Sequence, residues 1–565
     1  MENGTGGSQL PHGADPARYE LEEWTPDEEE ILRRYFTNLE GPVFALVNLP
    51  EVVKGALFAR YSRSSKSLRR LFLDEFVGDL DVSGDLSIDA TVGLARAEQL
   101  YDRVFFEYGD DSVAQLGGVH LACEQASNLL TKVLERGRLM SYMEKSTRYV
   151  AYDTRMSNGR FRYYRDPAIL ESHLGARFVG DVDRLFDAYG EAVPELYAWL
   201  ASRNPCSPDD SDLAWRRSLR AKAFDALRGM LPAAATSNLG IYGSGQAYEG
   251  LLVRMRAHAL PEARDYAHLM LTELRKVIPS WVKRVDVADR GEAWGAYQET
   301  NREAMAELAS SLGVDAGGGE PAEQAGAGAS PPQVTLVDWD PDAEVKVVAA
   351  ALYPYSDRSE EELARAAQVM SDGQRLEVLR RYAGERTNRR YRPGRALERC
   401  DYRFDVVSDY GAFRDLQRHR LLTVEWQQLT PALGYSLPPL VEEAGLATTY
   451  RAAMQRSGEL HQDLRAEVGP VQAAYAVALA FRIRYVLQCN AREAMHLLEL
   501  RTTPQGHPEY RQVGQQMHRL IEDVAGHRAI AAMMRFVDHS GDDDGTLGRL
   551  AGERRAQRRR SQTSG

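Results

Sequence analysis

At 565 residues the chain is long enough for two or more domains, and 44% hydrophobic with 27% charged residues is a globular composition. The formal net charge of -12 argues against a general nucleic-acid coat, so anionic ligands must be met by local arginine clusters. Four cysteines (Cys123, Cys206, Cys400, Cys489) stand at no zinc or disulfide spacing, and there is neither a leader-like N-terminus nor an apolar run of about 18 residues. The expectation is a cytoplasmic protein with no metal, no membrane segment and no nucleic-acid partner.

Residues 1–24 are rich in Gly, Pro and acids and are expected to be disordered. A first domain is expected over 25–314. Within it Ser112, in Gly109-Asp110-Asp111-Ser112-Val113, precedes an apolar run and suits a helix cap. Val119, Ala122, Ala126, Leu129, Leu130, Val133 and Leu134 recur at helical spacing and predict an amphipathic helix running into Arg136. There follows Arg136-Gly-Arg138-Leu-Met-Ser141-Tyr-Met-Glu144-Lys-Ser146-Thr-Arg148-Tyr149. Such a concentration of guanidinium and hydroxyl groups suits phosphate or carboxylate recognition, because guanidinium presents a planar fork of donors. Ion pairing of Arg136 and Arg138 with Glu135, or a surface salt bridge for Arg148, suits the same residues.

Residues 315–333 form a Gly/Ala/Pro linker, and a second domain is expected over 334–548. In it Arg395 suits either a phosphate contact or a turn. Arg418-His419-Arg420-Leu-Leu-Thr423 aligns with Arg136-Gly-Arg138-Leu-Met-Ser141. Leu479, Phe481, Ile483 and Tyr485 alternate with Ala480, Arg482 and Arg484, which predicts a strand. Asn490 then caps a helix with Glu493 at its third position, and Met495, Leu497, Leu498 and Leu500 supply its buried face. A second landmark also recurs: Arg254 stands seven residues before Pro261-Glu262-Ala-Arg264, as Arg501 does before Pro508-Glu509-Tyr-Arg511. Two landmarks in the same order in each half predict a tandem repeat of an α+β domain in which helices predominate. The tail, 549–565, is basic and expected to be disordered.

Both landmarks resemble the flavin-dependent thymidylate synthases, whose signature is Arg-His-Arg-x7-Ser-x-Arg. The first copy keeps Arg136, Arg138, Glu144, Ser146 and Arg148 but has Gly137 for the histidine. Its Gly109–Val113 stretch is similar to the family's Gly-His-Glu-Ser/Thr segment, again without the histidine. The second copy keeps Arg418-His419-Arg420 but has Gln428 and Thr430 for the Ser and Arg, and Arg484 to Arg501 resembles the family's second nucleotide segment. The resemblance covers most of each half, excluding the linker, the termini and an Ile169–Asp212 insertion.

That resemblance implies FAD as cofactor, with methylenetetrahydrofolate and NADPH as co-substrates in the reductive methylation of dUMP to dTMP. It implies that Arg418, His419, Arg420, Asn490, Arg492 and His496 hold FAD, with Arg136, Arg138, Glu144 and Ser112 as first-copy counterparts. Ser146 and Arg148 would hold the dUMP phosphate or sugar, and Arg228, off by one in spacing, is a further nucleotide candidate. Arg501 and Arg254 would face the uracil ring and stabilise charge developing there. Family members are homotetramers with sites shared between subunits. A tandem chain is therefore expected to form a homodimer that mimics the tetramer, its copies complementing each other in composite sites. The missing motif residues leave open a catalytically silent nucleotide- or flavin-binding or assembly paralogue, or a flavoenzyme acting on another pyrimidine nucleotide.

Overall fold

The computed structural model describes residues 19, 22–49, 54, 57, 58, 61, 64–75, 118–208, 210–314 and 332–541. Ser112, residues 315–331 and the basic tail lie outside the described residues, as does nearly all of 1–21. Two compact units make up the chain. Unit 1 comprises Met1–Ser146, Thr154–Gly175 and Ala234–Gly317, and unit 2 comprises Thr147–Asp153, Ala176–Ala233 and Gly318–Gly565. Unit 2 thus contains two pieces from the N-terminal half of the sequence, one of which carries Arg148 and the other Arg228.

Each unit is built on a four-stranded antiparallel sheet. Unit 1 has β1 (Val43–Leu46), β2 (Gly118–Ser127), β3 (Met140–Glu144) and β4 (Thr236–Ser244), in the order β1-β2-β4-β3. Unit 2 has β5 (Gln333–Trp339), β6 (Asp401–Asp409), β7 (Thr423–Trp426) and β8 (Arg482–Asn490), in the order β5-β6-β8-β7. The second sheet repeats the strand order of the first. The α+β, helix-rich class and the tandem copy are both present in this architecture.

The helix expected over Val119–Leu134 is only half there. Gly118–Ser127 is β2, and the helix spans Asn128–Leu134, with Ser127 Oγ accepting the Leu130 N–H as its cap. β2 is a central strand between β1 and β4, and Val119, Leu121, Ala122, Cys123 and Ala126 are all buried. A strand covered on both faces loses its alternation, and its apolar run then imitates helical spacing. The strand expected from Leu479 begins later, at Arg482. Leu479 and Ala480 instead donate their N–H groups to Leu231 and Gly229, both in unit 2. The Asn490 cap is as expected, its side chain accepting the Glu493 N–H at 2.9 Å.

Aromatic packing fixes each sheet against its helices. In unit 1, Phe36 meets Phe44 and Phe72 edge-on at 5.5 and 5.3 Å, and all three are buried. In unit 2, Phe413 packs on Tyr485 at 4.9 Å and on Trp426 at 5.5 Å. Each buried phenylalanine contributes about 1.5–3 kcal/mol. Phe413 anchors the helix Tyr410–Leu416, whose C-terminal end delivers Arg418, His419 and Arg420. The insertion also folds. Its helix Gly175–Arg203 turns Phe178, Val182, Leu185, Phe186, Tyr189, Val193, Leu196 and Leu200 inward at helical spacing.

The Pro-Glu landmark has a structural role in both copies. Pro261 and Pro508 each start a helix, where a missing N–H costs nothing. Glu262 accepts the N–H of Ser127 at 2.8 Å, and Glu509 accepts the N–H of Asp409 at 2.7 Å. Ser127 and Asp409 are the caps of the helices that follow β2 and β6. The glutamate therefore ties the helix that starts at the landmark in each copy to the same strand-to-helix junction.

Candidate functional site

Unit 2 gathers a dense charged cluster. Asp415, on the Tyr410–Leu416 helix, is surrounded by four arginines: Arg228 at 3.7 Å, Arg418 at 3.8 Å, and Arg148 and Arg501 at 3.9 Å. Beside it Asp225 lies 2.8 Å from Arg148 Nε, 3.4 Å from Arg228 Nε and 3.2 Å from His507 Nδ1. The other nitrogen of His507 faces Asp409 at 3.3 Å. Tyr510 lies beneath two of the guanidinium groups, with Arg148 5.3 Å and Arg501 5.4 Å from its ring centre. Its hydroxyl accepts a hydrogen bond from Arg148 Nη1 at 3.3 Å.

The charge states follow from these neighbours. Burial alone would raise the Asp415 pKa, but Arg148, Arg418, Arg228 and Arg501 hold it well below the ordinary carboxylate range. Asp225 is likewise held down, against burial, by Arg148, His507 and Arg228. Burial disfavours a charged His507, yet Asp225 and Asp409 bring its pKa up to about 9, so the ring is an imidazolium whose Nε2 donates to Asp409 while Nδ1 stands at ion-pair distance from Asp225. Burial, then the nearby Asp409, pushes Glu509 up to about 8. Near neutral pH the cluster holds five cations (Arg148, Arg228, Arg418, Arg501, His507) against three aspartates (225, 409, 415). The surplus of two positive charges equals the charge of a phosphate monoester dianion. Arg228 Nε is buried and forms no hydrogen bond, its Asp225 neighbour being poorly placed.

His419 adjoins this cluster. Arg501 Nε donates to His419 Nε2 at 3.0 Å, which leaves the ring proton on Nδ1, 2.8 Å from Glu493 Oε1. Burial, Arg501 and Arg392 hold the His419 pKa well below its ordinary value, so the ring is neutral. His496 lies 5.3 Å away, ring to ring, with Arg392 Nη2 3.2 Å from its ring nitrogens. Burial lowers His496 to about 4. His419, Glu493 and His496 are close enough together to ligate a metal ion. Arg392 and Arg501, hydrogen-bonded to these imidazoles, place positive charge beside them.

The structure thus brings together Arg148, Arg228, Arg418, His419, His496 and Arg501 in one unit. Arg420 is exposed. Asn490 is a helix cap, and Arg492 donates to the Pro393 carbonyl at 3.0 Å and pairs with Glu398 at 3.2 Å. Arg395 is mostly exposed and pairs with Glu398. Arg136, Arg138, Glu144, Ser146 and Arg254 belong to unit 1. There Glu144 is buried 3.5 Å from Lys132, which also pairs with Glu135. Arg136 and Arg138 are exposed. Burial lowers the Arg254 pKa, and Arg136 adds to that, as Arg418 does for Arg501 in the other copy.

Asp225, Asp415, His507 and Tyr510 are site residues that motif reasoning passes over. His507 and Tyr510 flank the Pro508-Glu509 landmark, and that was their available signal. Asp415 stands three residues before Arg418, one helical turn away, but nothing in its sequence context marks it.

The model of the family described as thymidylate synthase complementing protein matches residues 57–280 and 335–526. The chain is 41% identical over 539 residues to a protein of Chlamydia muridarum described as a UPF0159 protein, covering 94% of this chain and 98% of the relative. A similarly described protein of Thermoplasma acidophilum is 31% identical over 526 residues, with 88% and 97% covered. Among solved structures, a UMP/dUMP methylase from Streptomyces cacaoi bound with 5-Br dUMP is 20% identical. It aligns with 37% of this chain and 98% of its own, at a TM-score of 0.30.

Proposed function

The chain belongs to the thymidylate synthase complementing protein family, and from that premise we propose that it is an FAD-dependent enzyme converting dUMP to dTMP. Methylenetetrahydrofolate is the carbon donor and NADPH the reductant. The observation that carries this reading is the unit 2 cluster, whose two surplus positive charges match a nucleotide phosphate. Guanidinium forks on Arg148 and Arg228 bind that phosphate. Both come from the first half of the sequence, and Arg418, His419 and Arg501 come from the second. One site composed from both copies explains why each copy keeps only part of the signature.

The flavin dinucleotide is assigned to the donors around His419. Arg418, Arg392 and His496 offer planar cationic and neutral donors of the kind a pyrophosphate accepts. Bound there, the flavin supplies the hydride. The chain's own residues bind and orient. His419 keeps one tautomer because Arg501 and Glu493 hold its two nitrogens. Arg501, over Tyr510 and 3.9 Å from Asp415, stabilises negative charge on the pyrimidine as C5 becomes nucleophilic. The protein acts as a homodimer.

A second reading, a silent nucleotide- or flavin-binding paralogue, is favoured by one observation. Asn490 and Arg492, two of the expected flavin ligands, are engaged in a helix cap and an ion pair. The visible spectrum of the purified protein separates the two readings. Bound FAD whose bands shift on titration with dUMP, followed by dTMP formation with methylenetetrahydrofolate and NADPH, supports the enzyme. Colourless protein that cannot be reconstituted with FAD overturns it.

A further inference from the structure

Unit 1 contains a cavity of about 910 Å³ that the proposed activity does not use. Its lining includes six cationic side chains (Arg69, Arg70, Lys145, Arg160, Arg162, Arg165) against three glutamates (22, 23, 124). Part of its wall is the bulge in β2, where the pairing register with β4 shifts between Cys123 and Ala126. Gln125 there takes φ 57°, a left-handed conformation that is uncommon for a residue with a side chain, and its N–H bonds Asn238 Oδ1 at 2.9 Å. Strain of this kind tends to sit at ligand sites.

Some of the lining cations have carboxylate partners: Arg70 pairs with Glu28 at 2.6 Å, and Arg69 lies 3.7 Å from Glu124. Glu124 also accepts hydrogen bonds from Tyr61 at 2.8 Å and the Leu68 N–H at 3.0 Å. Lys145 is buried, with its amine 3.3 Å from the Ser65 carbonyl. Burial, then the neighbouring Arg162, lowers its pKa to about 8, although Glu124 acts the other way. Burying the Lys145 amine within electrostatic reach of a second cation is costly unless an anion joins them. Glu144 and Lys145 are consecutive, yet Glu144 pairs with Lys132 of the Asn128–Leu134 helix while Lys145 reaches Ser65. The signature segment thus supplies this cavity with a residue that the family pattern does not specify.

We propose that the unit 1 cavity binds a phosphorylated small molecule, with Lys145 and Arg162 as its phosphate ligands. It is a second anion site, contained in unit 1, and it does not depend on the unit 2 cluster. The volume far exceeds that of a lone phosphate, and hydroxyl and amide groups such as Ser67 and Asn238 on the wall suit a polar body attached to it.

Pyridoxal 5′-phosphate followed by borohydride tests this on the full chain. The unprotonated lysine amine condenses with the aldehyde, losing water, and borohydride reduces the imine to a stable secondary amine that peptide mass spectrometry locates. At pH 7.5 a lysine with pKa near 8 carries on the order of 100-fold more free amine than an ordinary one. The expected result is that Lys145 is modified faster than the exposed Lys276, and that inorganic pyrophosphate protects Lys145 alone. Arg162→Gln should abolish the protection and Arg162→Lys should keep most of it, with circular dichroism showing both variants folded. The Arg148→Lys variant should protect like the wild type, which separates this site from the unit 2 cluster. Lys145 modified no faster than Lys276, or protection that survives Arg162→Gln, would overturn the proposal.

Discussion

Arg501 donates to Nε2 of His419 at 3.0 Å, and that hydrogen bond decides which nitrogen of the imidazole carries the proton. With Nε2 accepting, Nδ1 must donate, and Glu493 is there at 2.8 Å to receive it. An arginine from one segment thereby orients a histidine from another, and Asp415 lies 3.9 Å from that arginine and 3.8 Å from Arg418. His419→Ala removes the ring that positions Arg501 and Glu493 and is expected to weaken FAD binding by about 10- to 100-fold. Flavin absorbance of the purified variant checks this. Because the ring is held neutral, wild-type FAD affinity should show no inflection near pH 6.5.

Arg148 both neutralises buried aspartates and serves the proposed phosphate site. Arg148→Ala leaves Asp225 and Asp415 under-compensated and is expected to cost about 3–5 kcal/mol of stability. Arg148→Lys keeps the charge and loses the fork. It should melt close to the wild type yet bind dUMP about tenfold more weakly, as equilibrium titration would measure. Unchanged dUMP affinity in that variant would remove Arg148 from the site.

Glu509 gives a pH signature. Its folded pKa, about 8, lies above the ordinary carboxylate value of 4.5, so the folded state binds more protons between the two. The stability it contributes is present below pH 4.5 and lost as pH rises through 8. His507, raised to about 9 from 6.5, acts with the same sign between those values. Denaturant melts should show unit 2 losing stability from pH 6.5 to 8. Glu509→Gln, which still accepts the Asp409 N–H, should be more stable than the wild type at pH 8.5 by roughly 1–3 kcal/mol.

Glu262 performs the equivalent junction task in unit 1, accepting from the N–H of Ser127 at 2.8 Å and from its hydroxyl. Glu262→Ala leaves two buried donors unsatisfied and should cost about 1–3 kcal/mol for each. Glu262→Gln retains acceptor capacity and should cost less. Chemical denaturation of the two variants side by side is the measurement.

Arg386 forms a bidentate pair with Glu499 at 2.7 and 2.5 Å, both side chains being buried. Removing one partner of a buried pair typically costs about 3–5 kcal/mol, so Arg386→Ala should be among the most destabilising single changes in unit 2. Arg386→Met/Glu499→Met together should recover much of the loss, which a double-mutant cycle would read directly.

The candidate site was legible in part. Arg148, Arg418, His419 and Arg501 are marked by spacing, because a guanidinium fork at a fixed offset from another is a local pattern. Asp225, Asp415 and His507 carry no such mark. Asp225 and Asp415 face arginines, and His507 faces aspartates, that lie mostly far away in sequence, and nothing within a few residues of Asp225 announces Arg148 or His507. Helix 128–134 was half-legible because burial on both faces of β2 erased the alternation that identifies a strand.

The sequence by itself determined the duplication, the α+β class and the order of landmarks, since these depend on periodicity, turn chemistry and internal repetition along one chain. Only the tertiary structure decided that Arg148 and Arg228 of the first half share a unit with Arg418, His419 and Arg501 of the second. It also decided which cations are balanced. Five positive charges around three aspartates in unit 2, and Lys145 beside Arg162 in unit 1, are sums over distant residues. Electrostatic energy depends on separation in space and on burial, and the chain's linear order fixes neither.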